Sequence, residues 1–237
     1  MSLCDDLKRE VGRVIEQPWE KREGRVVPQT SDVSLSGGAV TLDATFLYAD
    51  MAASSRIVKE LDRRIAAKVL KAFHVCVCLL VRSLDGEIVS FDGDRVLGVF
   101  VGSTKNMQAT KCGLHINYAM SEIIRPSFAS HFDGVRDASF RLSHGVGIDT
   151  GTILAVRAGI RGDNDLIWIG RAPNLAAKLS ELRHDPYRTF ITSGVYNELD
   201  ESCRYGGESK SQMWDKLSWE FLGESITLYG SNWWWKP

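Results

Sequence analysis

The chain has 237 residues with 44% apolar and 25% charged side chains, the balance of a globular protein long enough to bury a core without disulfide or metal staples. Its 29 basic residues against 30 acidic ones leave a net charge of −1, which argues against a surface dedicated to coating DNA or RNA. No apolar run reaches the ~20 residues of a membrane-spanning helix, and residues 1–10 carry acids early, so neither a membrane span nor a secretory leader is expected.

Residues 3–16 read as a short amphipathic helix, with Leu3, Leu7, Val11, Val14 and Ile15 on one stripe. The polar stretch 17–38, rich in Gly and Pro, reads as an extended arm that Trp19 pins to the body. Two units follow: helix and arm over 1–38, and one domain over 39–237. Residues 40–48 form a buried strand and 54–82 a helix with one apolar face. Residues 87–91 and 96–101 are strands joined through Asp92-Gly93-Asp94, and a helix over 105–124 stops before Pro126. Residues 140–148 alternate as a strand, Asp149-Thr150-Gly151 turns it, and 153–158 return as its partner. A short strand at 166–169, a helix at 171–182, a strand at 188–192 and a short helix at 194–199 lead to a closing hairpin over 219–222 and 226–235. The order predicts an α+β fold with a mostly antiparallel sheet. Five cysteines without a Cys-x-x-Cys pair fit reduced thiols in a cytoplasm.

Three segments carry chemistry. In the run Phe46 to Ser55, Asp50 ends an apolar strand just before a helix of small residues. A carboxylate there can hold a divalent cation, and the helix start offers free N–H groups to phosphates. Asp94, at the tip of the hairpin, supplies a second acid, and two acids about a metal pair suit phosphoryl transfer. In Gly170 to Lys178, Asn174 and Lys178 stand four apart on one helix face. Taken singly, Asp50 also fits a helix cap, Asp-Gly-Asp a plain turn, and the Asn/Lys pair a solvated face.

In this order the blocks resemble the class III nucleotidyl cyclase catalytic domain over residues 40–235. The matching residues are Tyr48-Ala49-Asp50-Met51, Gly93-Asp94, Gly147-Ile148-Asp149-Thr150-Gly151, and Gly170 to Lys178. The resemblance implies helices flanking a sheet with a ferredoxin-like βαββαβ core. It implies that Asp50, Asp94 and the Met51 carbonyl hold two Mg²⁺ or Mn²⁺ ions. The N–H groups of Ala52, Ala53, Ser54 and Ser55 would cradle phosphates, Asn174 would orient the ribose, and Lys178 would stabilise charge on the α-phosphoryl oxygens. Lys178 stands for the family's arginine and loses its bidentate fork. The family's two half-sites come from opposite subunits, so a homodimer with shared sites is implied.

The positions that read a purine in this family are Ser90 and Ile167 here, and neither reproduces the adenine or guanine pattern. That departure resembles the free-standing bacterial pyrimidine cyclases of antiphage signalling. The resemblance implies a cytoplasmic enzyme that cyclises UTP, or CTP, to a messenger for a cell-killing effector, with neither nucleic acid nor membrane as partner. Tyr48, Arg95 and Trp168 join Ser90 and Ile167 as base-pocket candidates, and those three also read as core or rim residues. A purine cyclase with an unusual pocket, an inactive dimerisation module and a polymerase-like palm are the rival readings.

Overall fold

The computed structural model describes residues 2–237. Helix α1 (Leu3–Glu16) opens on a reciprocal capping box between Ser2 and Asp5. Its apolar stripe is 59–77% exposed and faces solvent in the protomer. The arm that follows is anchored differently from the expectation. Strand β1 (Glu20–Glu23) joins the sheet parallel to β2 (Gly38–Ala52), and Val33 is buried in the core, whereas Trp19 is largely exposed.

Strand β2 is the central beam. Its alternation sends Leu42, Ala44 and Phe46 to one face and Leu47, Ala49 and Met51 to the other. The expected helix over 54–82 is two helices, α2 (Ser54–Glu60) and α3 (Arg63–Ser83). They part at Leu61, which is extended, and the Asp62 carboxylate caps α3 by accepting from the Arg64 N–H at 2.9 Å. Val69, Phe73, Val77 and Val81 form the buried face of α3. Strands β3 (Glu87–Asp92) and β4 (Arg95–Val101) make the expected hairpin, turned at Gly93 with φ +61°.

Helix α4 (Lys105–Tyr118) does not stop before Pro126. It widens into a π-turn over Ala119–Ile124 and continues as α5 (Arg125–His131), with Pro126 in the first turn, where its missing N–H costs little. A short α6 (Asp133–Arg136) follows. The next correction is larger. Strand β5 (Ser143–Ile160) is one uninterrupted 18-residue strand, with no turn at 149–151. β2 pairs with it antiparallel from Ala52–Ser143 to Ala39–Val156, so the Asp-Thr-Gly run is held extended by cross-strand bonds.

Strand β6 (Asp163–Ile169) folds back on the far half of β5. Helix α7 (Arg171–Ser180) and strand β7 (Thr189–Thr192) follow, then α8 (Ser193–Asn197), α9 (Glu201–Arg204) and the two-residue strands β8 (Tyr205–Gly206) and β9 (Ser211–Gln212). Strands β10 (Asp215–Phe221) and β11 (Glu224–Ser231) close the chain as a hairpin.

The sheet runs β10-β11-β7-β5-β2-β4-β3, with β1 beside β2 and β6 beside β5. Among the described strands only β1–β2 and β5–β7 are parallel, so the fold is α+β with a mostly antiparallel sheet. α3 and α4 cover one face and α7 the other. Helix α7 sits against bare backbone. A Cβ on Gly147 would fall 2.1 Å from the Ala176 carbonyl, so that helix approaches β5 as closely as it does only over glycine.

Candidate active site

Asp50 is fixed by the centre of the sheet. It pairs with Arg95 of β4 on one side and with Gly145 of β5 on the other. Its even register places it with Phe46 and Tyr48 on the face that α7 covers. The residue is 7% exposed. Burial of the carboxylate pushes its pKa up, the Arg183 and Arg95 guanidiniums pull against that, and the charge of Asp94 adds to the rise.

Two guanidiniums divide the two oxygens. Arg183 Nη2 donates to Asp50 Oδ2 at 2.5 Å, while Arg95 Nε lies 3.8 Å from Oδ1. Arg183 is itself gripped, since Nη1 donates to the Ser180 carbonyl at 2.6 Å and to the Leu182 carbonyl at 3.0 Å. Arg95 Nη1 donates to Glu181 Oε1 at 2.8 Å, and Lys178 Nζ donates to Glu181 Oε2 at 3.1 Å. Asp50, Arg95, Glu181 and Lys178 therefore form one chain of alternating charge from the strand to the end of α7.

The hairpin tip is tied to the same point, because the Met51 N–H donates to the Asp94 carbonyl at 3.4 Å. Asp50 and Asp94 thus lie within electrostatic reach of each other. Among the described residues, no three or more His, Cys, Asp or Glu side chains converge as a metal cluster. The donor set is two carboxylates and backbone oxygens, all hard, which suits Mg²⁺ or Mn²⁺ with substrate phosphates completing the shell.

Beyond Asp50 the chain passes through Ala52 and Ala53, the latter left-handed at φ +57°, into α2. The first N–H groups of that helix, at Ser54 and Ser55, have no partner within it. Ala52 and Ala53 line a cavity of about 710 Å³ whose walls carry Arg56, Arg125, Arg141, Arg183 and Arg188. Its one acid, Asp185, is held by Arg188 at 2.8 Å. Burial pulls the Arg125 pKa down, and the charges of Arg141 and Arg188 pull it further, against Glu122.

Asn174 and Lys178 are exposed on α7, and the Asn174 amide donates to the Gly170 carbonyl at 3.2 Å. Among the base-pocket candidates, Tyr48 is half-buried on the Asp50 face, and burial raises its hydroxyl pKa against the pull of Arg95. Trp168 packs edge-on to Phe46 at 5.6 Å, and its indole N–H is buried without a partner. Ser90 is half-buried on β3 opposite Leu97. Ile167 alternates with Trp168 along β6 and is exposed on the other face, in a cavity shared with Val14 and Trp19, so one protomer does not bring it to Tyr48. Arg95 sits against Asp50 and Glu181. Sequence reading missed Arg183, Glu181 and the arginine-lined cavity. They come from loops and helix ends with no periodicity, and no spacing signal marks them.

This strand–hairpin–helix frame, with two acids at one corner and Asn174 and Lys178 on the covering helix, has the fold of class III nucleotidyl cyclase domains. The adenylyl cyclase CyaB from P. aeruginosa superposes with a TM-score of 0.67 at 17% identity, over 81% of this chain and 95% of that one. The guanylyl cyclase Cya2 gives 0.67 at 18%, over 83% and 95%. No family model matches the chain. Full-length relatives are more specific. A "Uridylate cyclase" of Rhodovulum sp. (strain MB263) is 50% identical over 100% of this chain and 99% of its own, and one of Burkholderia cepacia is 42% identical over 99% of each. The chain belongs to the uridylate cyclase family and is a nucleotidyl cyclase. No helix among the described residues is long and apolar enough to cross a membrane.

Proposed function

We propose that the chain converts UTP to 3′,5′-cyclic UMP and pyrophosphate, as a homodimer whose two sites each combine Asp50 and Asp94 of one subunit with Asn174 and Lys178 of the other. The observation that carries this reading is the buried Asp50 carboxylate bonded to Arg183, one of the five arginines that line the cavity beside Ala52 and Ala53. A carboxylate next to a polycationic basin is suited to a nucleoside triphosphate with its cations.

In the reaction the ribose 3′-oxygen attacks the α-phosphorus, the bond to the bridging oxygen of the β-phosphate breaks, and the 3′-hydroxyl proton is released. Mg²⁺ or Mn²⁺, when bound, supplies charge neutralisation and lowers the pKa of that hydroxyl. Asp50 and Asp94 hold the cations. The cavity arginines and the first N–H groups of α2 hold the leaving pyrophosphate. Asn174 orients the ribose, and Lys178 meets the charge that grows on the α-phosphoryl oxygens.

Uracil is preferred over a purine because neither Ser90 nor Ile167 offers an ionisable partner for a purine edge, and because full-length relatives bear the name uridylate cyclase. The choice of UTP over CTP rests on Arg95 or a backbone N–H serving uracil O4, with no acid placed to receive the cytosine amine. The product would be a messenger for a separate antiphage effector. Incubation of the pure protein with each of ATP, GTP, CTP and UTP and Mn²⁺ is expected to give mainly cyclic UMP. Dominant cyclic AMP or GMP would overturn the pyrimidine reading, and dominant cyclic CMP the choice of uracil alone.

A further inference from the structure

We propose that Arg183 is a positioning residue that acts as the resident counter-ion of Asp50, excludes a divalent cation from that carboxylate while bound, and on release takes a terminal phosphate of the substrate. The inference rests on the metal site proposed above and adds a residue to it.

The geometry is that of a gripped fork. One guanidinium nitrogen of Arg183 bonds the Ser180 and Leu182 carbonyls at the C-terminal end of α7, and the other bonds Asp50 Oδ2. The path exists because residue 145, directly across from Asp50 in β5, is glycine. A Cβ there would lie 2.6 Å from Arg183 Nη1 and 2.3 Å from the Ser180 carbonyl. A carboxylate this buried needs a cation beside it. Arg95 meets that need weakly, at 3.8 Å and on the other oxygen, and its stronger bond goes to Glu181. Arg183 meets it directly.

A guanidinium nitrogen and a divalent ion cannot both sit on Oδ2, since the ion would lie about 2.1 Å from that oxygen and repel the fixed charge next to it. One must leave. Arg183 has a place to go, because it already lines the arginine cavity and its side chain is 41% exposed. Turned from Asp50, it adds its charge to a cavity already lined by Arg56, Arg125, Arg141 and Arg188. The cation favours the released arginine and the triphosphate favours the same state, so the two ligands help each other bind.

The test is Mn²⁺ binding without nucleotide, read from the loss of the free Mn²⁺ electron paramagnetic resonance signal. Samples are the wild type, Arg183→Gln, Arg183→Lys and the double variant Arg183→Gln/Asp50→Asn, each checked by its melting temperature. Arg183→Gln is expected to bind Mn²⁺ at least ~10-fold more tightly than wild type, Arg183→Lys within about 3-fold of it, and the double variant weakly. A residue with only a structural role would not tighten the metal when removed. In turnover, Arg183→Gln is expected to raise KM for UTP by about 10-fold, with a smaller change in kcat. Unchanged or weaker Mn²⁺ binding by Arg183→Gln overturns the inference and leaves the metal site standing. Undiminished binding by the double variant overturns both.

Discussion

Arg95 Nη1 donates to Glu181 Oε1 at 2.8 Å across 86 residues of sequence, and this bond joins the acidic hairpin to the end of α7. The same glutamate holds Lys178. The strand that carries Asp50 and the helix that carries Asn174 are therefore coupled by charge as well as by packing. In a dimer with shared sites, the two half-sites of one subunit belong to different reaction centres, so this link runs between centres.

Loss of either acid is expected to stop catalysis without unfolding the protein. Asp50→Asn and Asp94→Asn should each lower cyclase turnover by at least about 100-fold, because each removes an anchor for the charge that offsets the triphosphate. Turnover with Mn²⁺ measured beside circular dichroism checks this, and a near-native rate in either variant rules out the metal assignment.

Complementation tests the shared site. Asp50→Asn and Asn174→Ala homodimers should each be nearly inactive. Mixed in equal amounts and allowed to exchange subunits, they should recover about a quarter of wild-type activity, since half the dimers are then mixed and each has one intact site. Subunit exchange followed by fluorescence transfer, with no recovery, would contradict the model of shared sites.

Asp149 gives a pH prediction. It is 2% exposed, its Oδ1 accepts from the Thr192 hydroxyl at 2.6 Å, and its buried Oδ2 has no hydrogen bond, with Arg171 Nε 3.8 Å away. Burial raises its pKa above the unfolded value, against the pull of the Thr192 hydroxyl, the Thr150 N–H and Arg171. Between those two values the folded state holds more protons, so its contribution to stability falls as pH rises through the window. Asp149→Asn cannot ionise and should show a flatter stability profile as pH rises above the ordinary carboxylate range, measured by urea unfolding, and should gain on wild type as pH rises. Parallel profiles for the two proteins would refute this.

The seat of α7 gives the last prediction. Gly147→Ala puts a methyl 2.1 Å from the Ala176 carbonyl and 2.4 Å from the Ser180 nitrogen. Backbone cannot yield as a side-chain tip does, so the variant should lose about 1–3 kcal/mol or more in urea unfolding and most of its turnover. Unchanged unfolding would mean that α7 stands further from β5 than described.

The sequence was most legible where local pattern and tertiary role agreed. β2, the β3–β4 hairpin and α7 show their period, and Gly93 marks its turn. β5 was misread because Asp149-Thr150-Gly151 has turn chemistry, which pairing with β2 over the length of that stretch overrides. The break between α2 and α3 has a visible signal in Asp62, a good cap within the charged stretch Lys59 to Arg64. At the site, Asp50 and Asp94 could be found as acids at a strand end and a hairpin tip. Arg183 could not, since its contact with Asp50 spans 133 residues and depends on a glycine across the strand pair.

Two of the glycines of β5, Gly145 and Gly147, have a consequence for how such an enzyme can diversify. They bring α7 to the sheet main chain against main chain, so part of the seat of that helix is set by backbone and not by the side chains that line the pocket. Residues facing the nucleotide base can be exchanged for larger, smaller or differently charged ones while the mount beneath Asn174 and Lys178 keeps its place. A change of substrate then becomes a change of lining on a fixed frame.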